Sequence, residues 1–136
     1  MKKERSKPMP KPFGYSLLLD MYGCKNANDL DTGYHVLDNL PAVIGVTKQG
    51  PPVVIRGQEH LKKKGSEKGG ISGWIALIES GIQLHTIRDR NFVSIDIFSC
   101  KKFDIKAAVE FCKKHYSPKK VETNFIERGK EYGEIR

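Results

Sequence analysis

Two apolar segments with a three-residue connection restrict the fold of this chain more than any other feature. Ser72–Ile78 (SGWIALI) and Ile82–Ile87 (IQLHTI) flank Glu79-Ser80-Gly81. Apolar segments of this length, joined by so short a connection, are typical of a β-hairpin. The sequence therefore predicts two antiparallel strands with Glu79, Ser80 and Gly81 at their tip.

The rest of the chain adds strands and helices on both sides of this hairpin. Further strands are predicted at Tyr15–Tyr22, Val53–Arg56, Phe92–Phe98 and Lys120–Ile126. One helix is predicted over Asp29–Leu40, which carries leucines at helical spacing, and Pro41 is expected to end it. A second helix is predicted after Asp104, whose side chain can cap it; its apolar face is Ile105, Ala108, Val109 and Cys112. The polar, glycine-rich segment Gln58–Gly70 is predicted to be a loop.

The order of these elements predicts the fold class. Strand-helix-strand, hairpin, strand-helix-strand is typical of an α+β protein, a two-layer sandwich of an antiparallel sheet with two helices packed on one face. At 136 residues the chain is long enough for one domain. We expect residues 1–12 to be a flexible basic arm and residues 13–136 to be that single domain.

Charge and cysteine content exclude several classes of protein. The net charge is +8, concentrated in the arm and in Lys62-Lys63-Lys64. No aromatic residues alternate with these lysines, so nucleic acid is an unlikely partner. No apolar run is long enough to cross a membrane, and no secretory signal is present. Cys24, Cys100 and Cys112 lack the spacing of metal ligands, so no metal site is predicted, and their number indicates reduced thiols in a cytoplasm.

Three side chains around the hairpin suggest chemistry at one peptide bond. Ser80 lies at the predicted tip, His85 follows on the second strand, and Cys100 ends the next strand. Each is ordinary alone, since turn serines and buried cysteines are common. Together, a hydroxyl, an imidazole and a thiol are predicted to converge on the Glu79–Ser80 bond. No G-x-S-x-G sequence and no carboxylate that orients His85 is evident, so a hydrolytic triad is not supported.

The central sequence resembles that of a known family. GISGWIALIESGIQLHT followed by VSIDIFSC is similar to the core of the prokaryotic S-adenosylmethionine decarboxylases, with Ser72, Ser80, His85 and Cys100 at the family's separations. FGYSLLLDMYGC and KKVETNFIERG resemble the family's first and last strands. The resemblance covers about residues 13 to 129.

The resemblance implies that Ser80 is converted into a covalent pyruvoyl cofactor. The Ser80 hydroxyl attacks the Glu79 carbonyl, and elimination and hydrolysis then leave two chains, residues 1–79 and 80–136. By the same resemblance His85 is the base in this processing, and Ser72 supports it by a hydrogen bond. Imidazole suits that task because its unperturbed pKa lies near neutrality.

The resemblance also implies the reaction of the mature enzyme. The substrate amine forms a Schiff base with the pyruvoyl ketone, CO₂ is lost, and Cys100 returns a proton to the substrate carbon. The product would donate aminopropyl groups to spermidine synthesis. A homodimer of cleaved protomers is expected.

The sequence departs from the family pattern where the nucleoside binds. The family's His-Thr-Trp-Pro-Glu is here His85-Thr86-Ile87-Arg88-Asp89. Ile87 cannot stack on adenine as tryptophan does, unless Phe13, Tyr15 or Phe92 replaces it, whereas Asp89 keeps the substrate-binding carboxylate on a shorter side chain.

Three functions therefore remain open at this point. The first is S-adenosylmethionine decarboxylase. The second is a pyruvoyl-dependent decarboxylase of arginine or ornithine on the same scaffold. The third is a relative without enzymatic activity, which the joint presence of Ser80, His85 and Cys100 disfavours.

Overall fold

The computed structural model describes residues 11–57 and 69–134. Within these ranges the elements are β1 (Gly14–Tyr22), α1 (Leu30–Ile44), β2 (Val53–Arg56), β3 (Ile71–Leu77), β4 (Ser80–Ile87), β5 (Phe92–Ser99), α2 (Ile105–Tyr116) and β6 (Lys120–Arg128). Most of the predicted basic arm, Lys62–Lys64 and most of the predicted Gln58–Gly70 loop lie outside the described residues.

The strands form one antiparallel sheet in the order β2-β3-β4-β5-β1-β6. Both helices contribute to a single apolar core on one face of it, and α1 packs against α2 and β3. The predicted α+β two-layer sandwich is therefore confirmed. Among the described helices, none has the length and apolar character needed to cross a membrane.

Alternation along the central strands separates the two faces of the sheet. Ile82 and Leu84 of β4 and Ile95 of β5 are buried beneath the helices. Their neighbours on the same strands, such as Gln83 and His85, point to the opposite side and are exposed. No helix among the described residues covers that side, which we call the open face; it carries the side chains of the candidate site.

The prediction that Pro41 ends the first helix is wrong. The helix continues to Ile44, and Pro41 is one of its buried residues. A proline removes one backbone donor, but its carbonyl still accepts, here from the amide of Gly45 at 3.1 Å. Gly45 ends the helix in the left-handed conformation, with φ of 85°. Burial of Pro41 and Ile44 favours the additional turn.

The hairpin tip is one residue earlier than predicted. Leu77 is paired with Ser80 in the sheet, so the turn is Ile78-Glu79 and Ser80 is the first residue of β4. Ser80 is also paired with Ser99 of β5. Because strands pair with it on both sides, Ser80 is drawn into the sheet and does not remain in the turn.

The predicted second helix is confirmed, including its cap. The Asp104 carboxylate accepts a 3.0 Å hydrogen bond from the amide of Ala107. Cys112 is buried on the core side of α2, and burial raises the pKa of its thiol to about 12. Burial likewise raises the pKa of the Cys24 thiol to about 11. Both cysteines are therefore protonated packing residues at neutral pH.

Candidate active site

The backbone at Ser80 adopts a conformation that residues with side chains rarely adopt. Its φ is 150°. Such a conformation costs on the order of 1–3 kcal/mol and is usually retained where function requires it. The strained residue immediately follows the Glu79 carbonyl, so a hydroxyl and a carbonyl are adjacent at a position where the backbone departs from relaxed strand geometry. Holding a hydroxyl and a carbonyl next to each other favours attack of the one on the other.

The carbonyl of Glu79 is held by the main chain of β5. The amide of Cys100 donates a 2.8 Å hydrogen bond to the Glu79 carbonyl oxygen. A donor at this position stabilises negative charge on that oxygen when a nucleophile attacks the carbonyl carbon. The predicted approach of Cys100 to the Glu79–Ser80 bond is confirmed, and its side chain is exposed beside it.

The side chain of Glu79 is held separately, by Thr47. The Thr47 amide donates to one carboxylate oxygen at 2.9 Å and its hydroxyl donates to the other at 3.3 Å. The hydrogen bond from the Thr47 amide is the main reason that the pKa of Glu79 lies below its ordinary value, and Lys101 makes a smaller contribution. The amide of Ile78 donates to the Thr47 carbonyl at 3.0 Å, which fixes Thr47 against the turn.

Ser72 and His85 form a hydrogen-bonded pair on the open face. The Ser72 hydroxyl and His85 Nδ1 are 2.9 Å apart, and the two residues are directly opposite each other on β3 and β4. The predicted contact between them is therefore present.

The same pair is distant from the scissile bond of its own chain. His85 is opposite Ser94 on β5, whereas Ser80 is opposite Ser99 at the other end of β4. Five residues of extended strand span about 16 Å. The expectation that His85 lies near the hairpin tip, and that serine, imidazole and thiol converge within one chain, is wrong. An extended strand separates residues that a sequence spacing of five suggests are close.

A cavity of about 620 Å³ lies on the open face next to Ser80. Among the residues that line it are Trp74, Phe98 and Asp96. Burial, and secondarily the neighbouring Asp20, raise the pKa of the Asp96 carboxyl. Arg128 of β6 and Ser16 of β1 also line this cavity.

The predicted substrate-binding residue, Asp89, lies at the opposite end of β4. It belongs to a 3₁₀ turn, Arg88–Arg90, and its carboxylate accepts from Arg88 Nε at 3.1 Å. Beside this turn is a second cavity of about 350 Å³, lined by Tyr22, Ile87, Arg90 and Phe92. Asp89 is thus at the same end of the sheet as the Ser72–His85 pair.

Comparison with known proteins agrees with this geometry. The profile of the S-adenosylmethionine decarboxylase family matches residues 15–129, which include both helices and the whole sheet except Gly14, the first residue of β1. The chain belongs to this family.

Individual relatives support the assignment to the S-adenosylmethionine decarboxylase family. An S-adenosylmethionine decarboxylase proenzyme from Clostridium botulinum (strain Langeland) is 30% identical over 118 residues, which are 86% of this chain and 95% of the relative. One from Sulfurihydrogenibium sp. (strain YO3AOP1) is 29% identical over 123 residues, covering 89% of this chain and 86% of the relative.

A solved structure shows the same fold. The crystal structure of the adenosylmethionine decarboxylase from Aquifex aeolicus VF5 superposes with a TM-score of 0.70 at 21% identity, covering 88% of this chain and 92% of that chain.

The structure adds residues to the candidate site that sequence reasoning missed. Thr47 lies between elements with no motif around it, and it reaches Glu79 because Lys48 forms a β-bridge with Leu77. Arg128 lies at the end of a strand remote in sequence from the hairpin. No local sequence pattern predicts that Thr47 or Arg128 belongs to the site, because both reach it through the pairing of segments that are distant in sequence.

Proposed function

We propose that this protein is a self-processing S-adenosylmethionine decarboxylase whose pyruvoyl cofactor forms from Ser80. The observation that carries the proposal is the Glu79–Ser80 bond: a strained serine follows a carbonyl that the Cys100 amide already holds at 2.8 Å. The product of the reaction is the aminopropyl donor for spermidine synthesis. A cytoplasmic location accompanies this proposal, supported by three unpaired cysteines.

Self-cleavage begins with attack of the Ser80 hydroxyl on the carbonyl carbon of Glu79. A C–O bond forms as the peptide C–N bond breaks, which converts the amide into an ester and returns the hydroxyl proton to the Ser80 nitrogen. A base then removes the Ser80 α-proton, and the ester bond to the β-carbon breaks, leaving Glu79 with a free carboxylate. Addition of water and loss of ammonia leave the keto group at the start of the second chain. The Cys100 amide stabilises the oxygen of Glu79 throughout the first step.

The base proposed for this cleavage, His85, comes from a second copy of the chain. A general base must lie within about 3 Å of the proton that it removes, whereas His85 is about 16 Å along β4 from its own Ser80. A two-fold dimer formed through the open faces would bring the Ser72–His85 pair of each chain to the Glu79–Ser80 bond of the other. Large apolar side chains exposed on that face support such an interface, including Trp74, which is 52% exposed, and Ile126, which is 42% exposed.

Co-expression of two inactive variants tests this arrangement. Ser80→Ala lacks the nucleophile and His85→Ala lacks the base, so neither alone forms the cofactor. In a mixed dimer the His85→Ala chain keeps its own Ser80 and meets the His85 of the Ser80→Ala chain. We expect cleavage of the His85→Ala chain only, identified by a distinguishing tag and intact mass. Absence of cleavage in verified mixed dimers would refute the two-chain site.

After cleavage, the pyruvoyl group supplies a ketone for the substrate amine and an electron sink for the carbanion left by loss of CO₂. The protein's own residues position the substrate and move protons. Cys100 is exposed, and its amide is bonded to the residue before Ser80; its thiol is the group proposed to return a proton to the substrate α-carbon. In the two-chain site, Asp89 of the second copy, which lies at the same end of its sheet as His85, is proposed to bind the ribose hydroxyls.

The direct test measures cleavage and turnover on the same purified protein. We expect intact-mass spectrometry to show two fragments separated at Glu79–Ser80, the second blocked to Edman sequencing and reactive with hydrazines. Labelled S-adenosylmethionine should release CO₂ from the cleaved protein and not from the Ser80→Ala variant. A natural-sequence protein that remains full-length after prolonged incubation would contradict the proposal.

A further inference from the structure

Arg128 is a positioned cation on the open face. Its Nη1 donates a 3.1 Å hydrogen bond to the hydroxyl of Ser16, which is only 4% exposed. Its guanidinium carbon lies 4.8 Å from the ring centroid of Phe98. A hydrogen bond to a buried hydroxyl and contact with an aromatic face restrict the rotamers of a long side chain, so the guanidinium is held over β1 and β5.

The positive charge of Arg128 has no carboxylate partner within the ranges that the structure describes. Asp96 lines the same cavity, but it is opposite Leu18 and Gln83 in the sheet and forms no ion pair with Arg128. The single hydrogen bond to Ser16 uses one of five guanidinium donors. The remaining donors are available to an anionic group that enters the cavity.

The guanidinium shares a cavity with Ser80, the residue to which the substrate would be attached. Phe98, beneath the guanidinium, is directly opposite Gly81, the residue after Ser80. Adjacent strands are about 4.8 Å apart. The carboxyl group of an amino acid joined through its nitrogen to the Ser80 α-carbon lies three bonds, or about 4 Å, from that atom, and can therefore enter the cavity beside Ser80. Ser80 and Arg128 also line the same cavity.

We propose that Arg128 binds the α-carboxylate of the amino-acid substrate and orients it for loss of CO₂. The inference rests on the proposed function, since it requires a substrate joined at Ser80. A planar guanidinium matches a carboxylate with two parallel hydrogen bonds. With the amine fixed at Ser80 and the carboxylate fixed at Arg128, two of the substituents of the α-carbon are held. The third, the substrate side chain, is then directed along the open face.

Ligand binding tests this role without relying on turnover. The protein is the cleaved enzyme after borohydride reduction of its ketone, so that no covalent reaction follows. The probes are S-adenosylhomocysteine and the same thioether without its carboxylate, each titrated by calorimetry. We expect Arg128→Gln to weaken binding of the first at least about tenfold, or about 1.4 kcal/mol, and to leave binding of the second unchanged. Arg128→Lys should give an intermediate loss, because it keeps the charge without the planar fork.

Two controls separate this role from charge loss and misfolding. Lys106→Gln removes one positive charge from an exposed position on α2 and should change neither affinity. Arg128→Gln should still self-cleave at the rate of the natural sequence, and in the unreduced enzyme it should raise KM for S-adenosylmethionine. If Arg128→Gln weakened binding of both probes equally, or weakened binding of neither probe, the proposed role of Arg128 would be overturned.

Results that would contradict the proposed function differ from those that would contradict the role of Arg128. A natural-sequence chain that does not cleave, or that cleaves and binds neither probe, contradicts the proposed decarboxylase activity itself. Where cleavage fails, the affinities of the uncleaved chain for the two probes decide whether Arg128 holds a carboxylate. Tighter binding of the probe with the carboxylate that disappears in Arg128→Gln supports this role. Equal affinity of the natural sequence for both probes refutes it.

Discussion

The main chain of Cys100 is hydrogen-bonded to the carbonyl of Glu79 at 2.8 Å, and the Cys100 side chain is exposed beside the same bond. One residue thus presents two different groups to the site. The amide belongs to the backbone and is kept by any residue except proline, whereas the thiol is removed by a substitution. The two proposed steps, cleavage and decarboxylation, are therefore separable by mutation at this position.

Cys100→Ala should still self-cleave but should turn over poorly. The variant keeps the amide that holds the Glu79 carbonyl and loses the proposed proton donor, so products protonated at the wrong carbon are also expected. Loss of a general acid typically lowers the rate by about 10²- to 10⁴-fold. The measurements are intact mass for cleavage and product analysis for turnover. Full turnover with the normal product would show that the thiol only packs.

Cys112→Ala is the matched control for Cys100→Ala. Cys112 is fully buried on α2, so removing its sulfur leaves a small void in the core. We expect a loss of about 1–2 kcal/mol in the free energy of unfolding and no change in cleavage or kcat for the folded protein. A large effect on kcat at unchanged stability would contradict its assignment as a packing residue.

Glu79→Ala should slow self-cleavage without preventing it. The substitution removes both contacts with Thr47, so the carbonyl before Ser80 is held less firmly. Loss of one or two hydrogen bonds corresponds to a decrease in rate of about two- to tenfold. The rate of fragment formation is the measurement, with Glu110→Gln as a control because Glu110 is an exposed carboxylate on α2. Cleavage of Glu79→Ala at the natural rate would show that this contact is incidental.

The same carboxylate should also stabilise the uncleaved fold in a pH-dependent way. The pKa of Glu79 in the folded chain lies below the ordinary value of 4.5, chiefly because the Thr47 amide donates to it. Its contribution is therefore present above that ordinary value and is lost as pH falls through the lower, folded-state pKa. Urea unfolding of Ser80→Ala, with and without Glu79→Gln, should differ near neutrality and converge in acid. A difference that grows as pH falls would contradict this sign.

Phe92 and Tyr22 should supply the aromatic surface that residue 87 lacks. Phe92 is directly opposite Ile87, its ring lies 5.3 Å from that of Tyr22, and all three line one cavity. Phe92→Leu should therefore weaken S-adenosylmethionine binding about tenfold while leaving self-cleavage unchanged, and Ile87→Trp should strengthen binding. The measurement is kcat/KM for S-adenosylmethionine, arginine and ornithine. Preference for arginine or ornithine, unaffected by Phe92→Leu, would favour the second function that the sequence left open.

The stability of the fold should decrease between neutral and mildly acidic pH because of His115. The pKa of His115 lies below its ordinary value of 6.5, first because it is partly buried and then because His35 and Lys114 are near. Its ring lies 4.9 Å from that of His35. The unfolded chain takes up a proton near pH 6.5 and the folded chain resists it, so stability present above that pH is lost as pH falls through the folded pKa.

Unfolding of the Ser80→Ala chain at about pH 7.5 and about pH 5.5 measures the effect of His115. We expect His115→Gln to reduce the loss of stability by less than about 1 kcal/mol, since solvent screens a partly exposed group. His35→Asn should have the same direction of effect, because it removes a neighbouring charge. An unchanged pH dependence in His115→Gln would refute the assignment.

The sequence by itself determined the elements and the chemistry-bearing residues. Alternation predicted β5, an aspartate predicted the start of α2, and two apolar segments predicted the hairpin, because side-chain periodicity and capping act over a few neighbouring residues. The same local reasoning put Ser80, His85 and Cys100 together at the Glu79–Ser80 bond. This was correct for Cys100, because strands joined in sequence return to the same edge of the sheet, and wrong for His85.

Only the tertiary structure decided which groups meet. It put the Ser72–His85 pair at the far end of β4, gave Glu79 a partner in Thr47, and brought Arg128 over Phe98. Strand register and the approach of segments distant in sequence follow from the packing of the whole sheet, and no local pattern encodes them. For the same reason Pro41 remained helical, because its burial against the core outweighed its poor helix propensity.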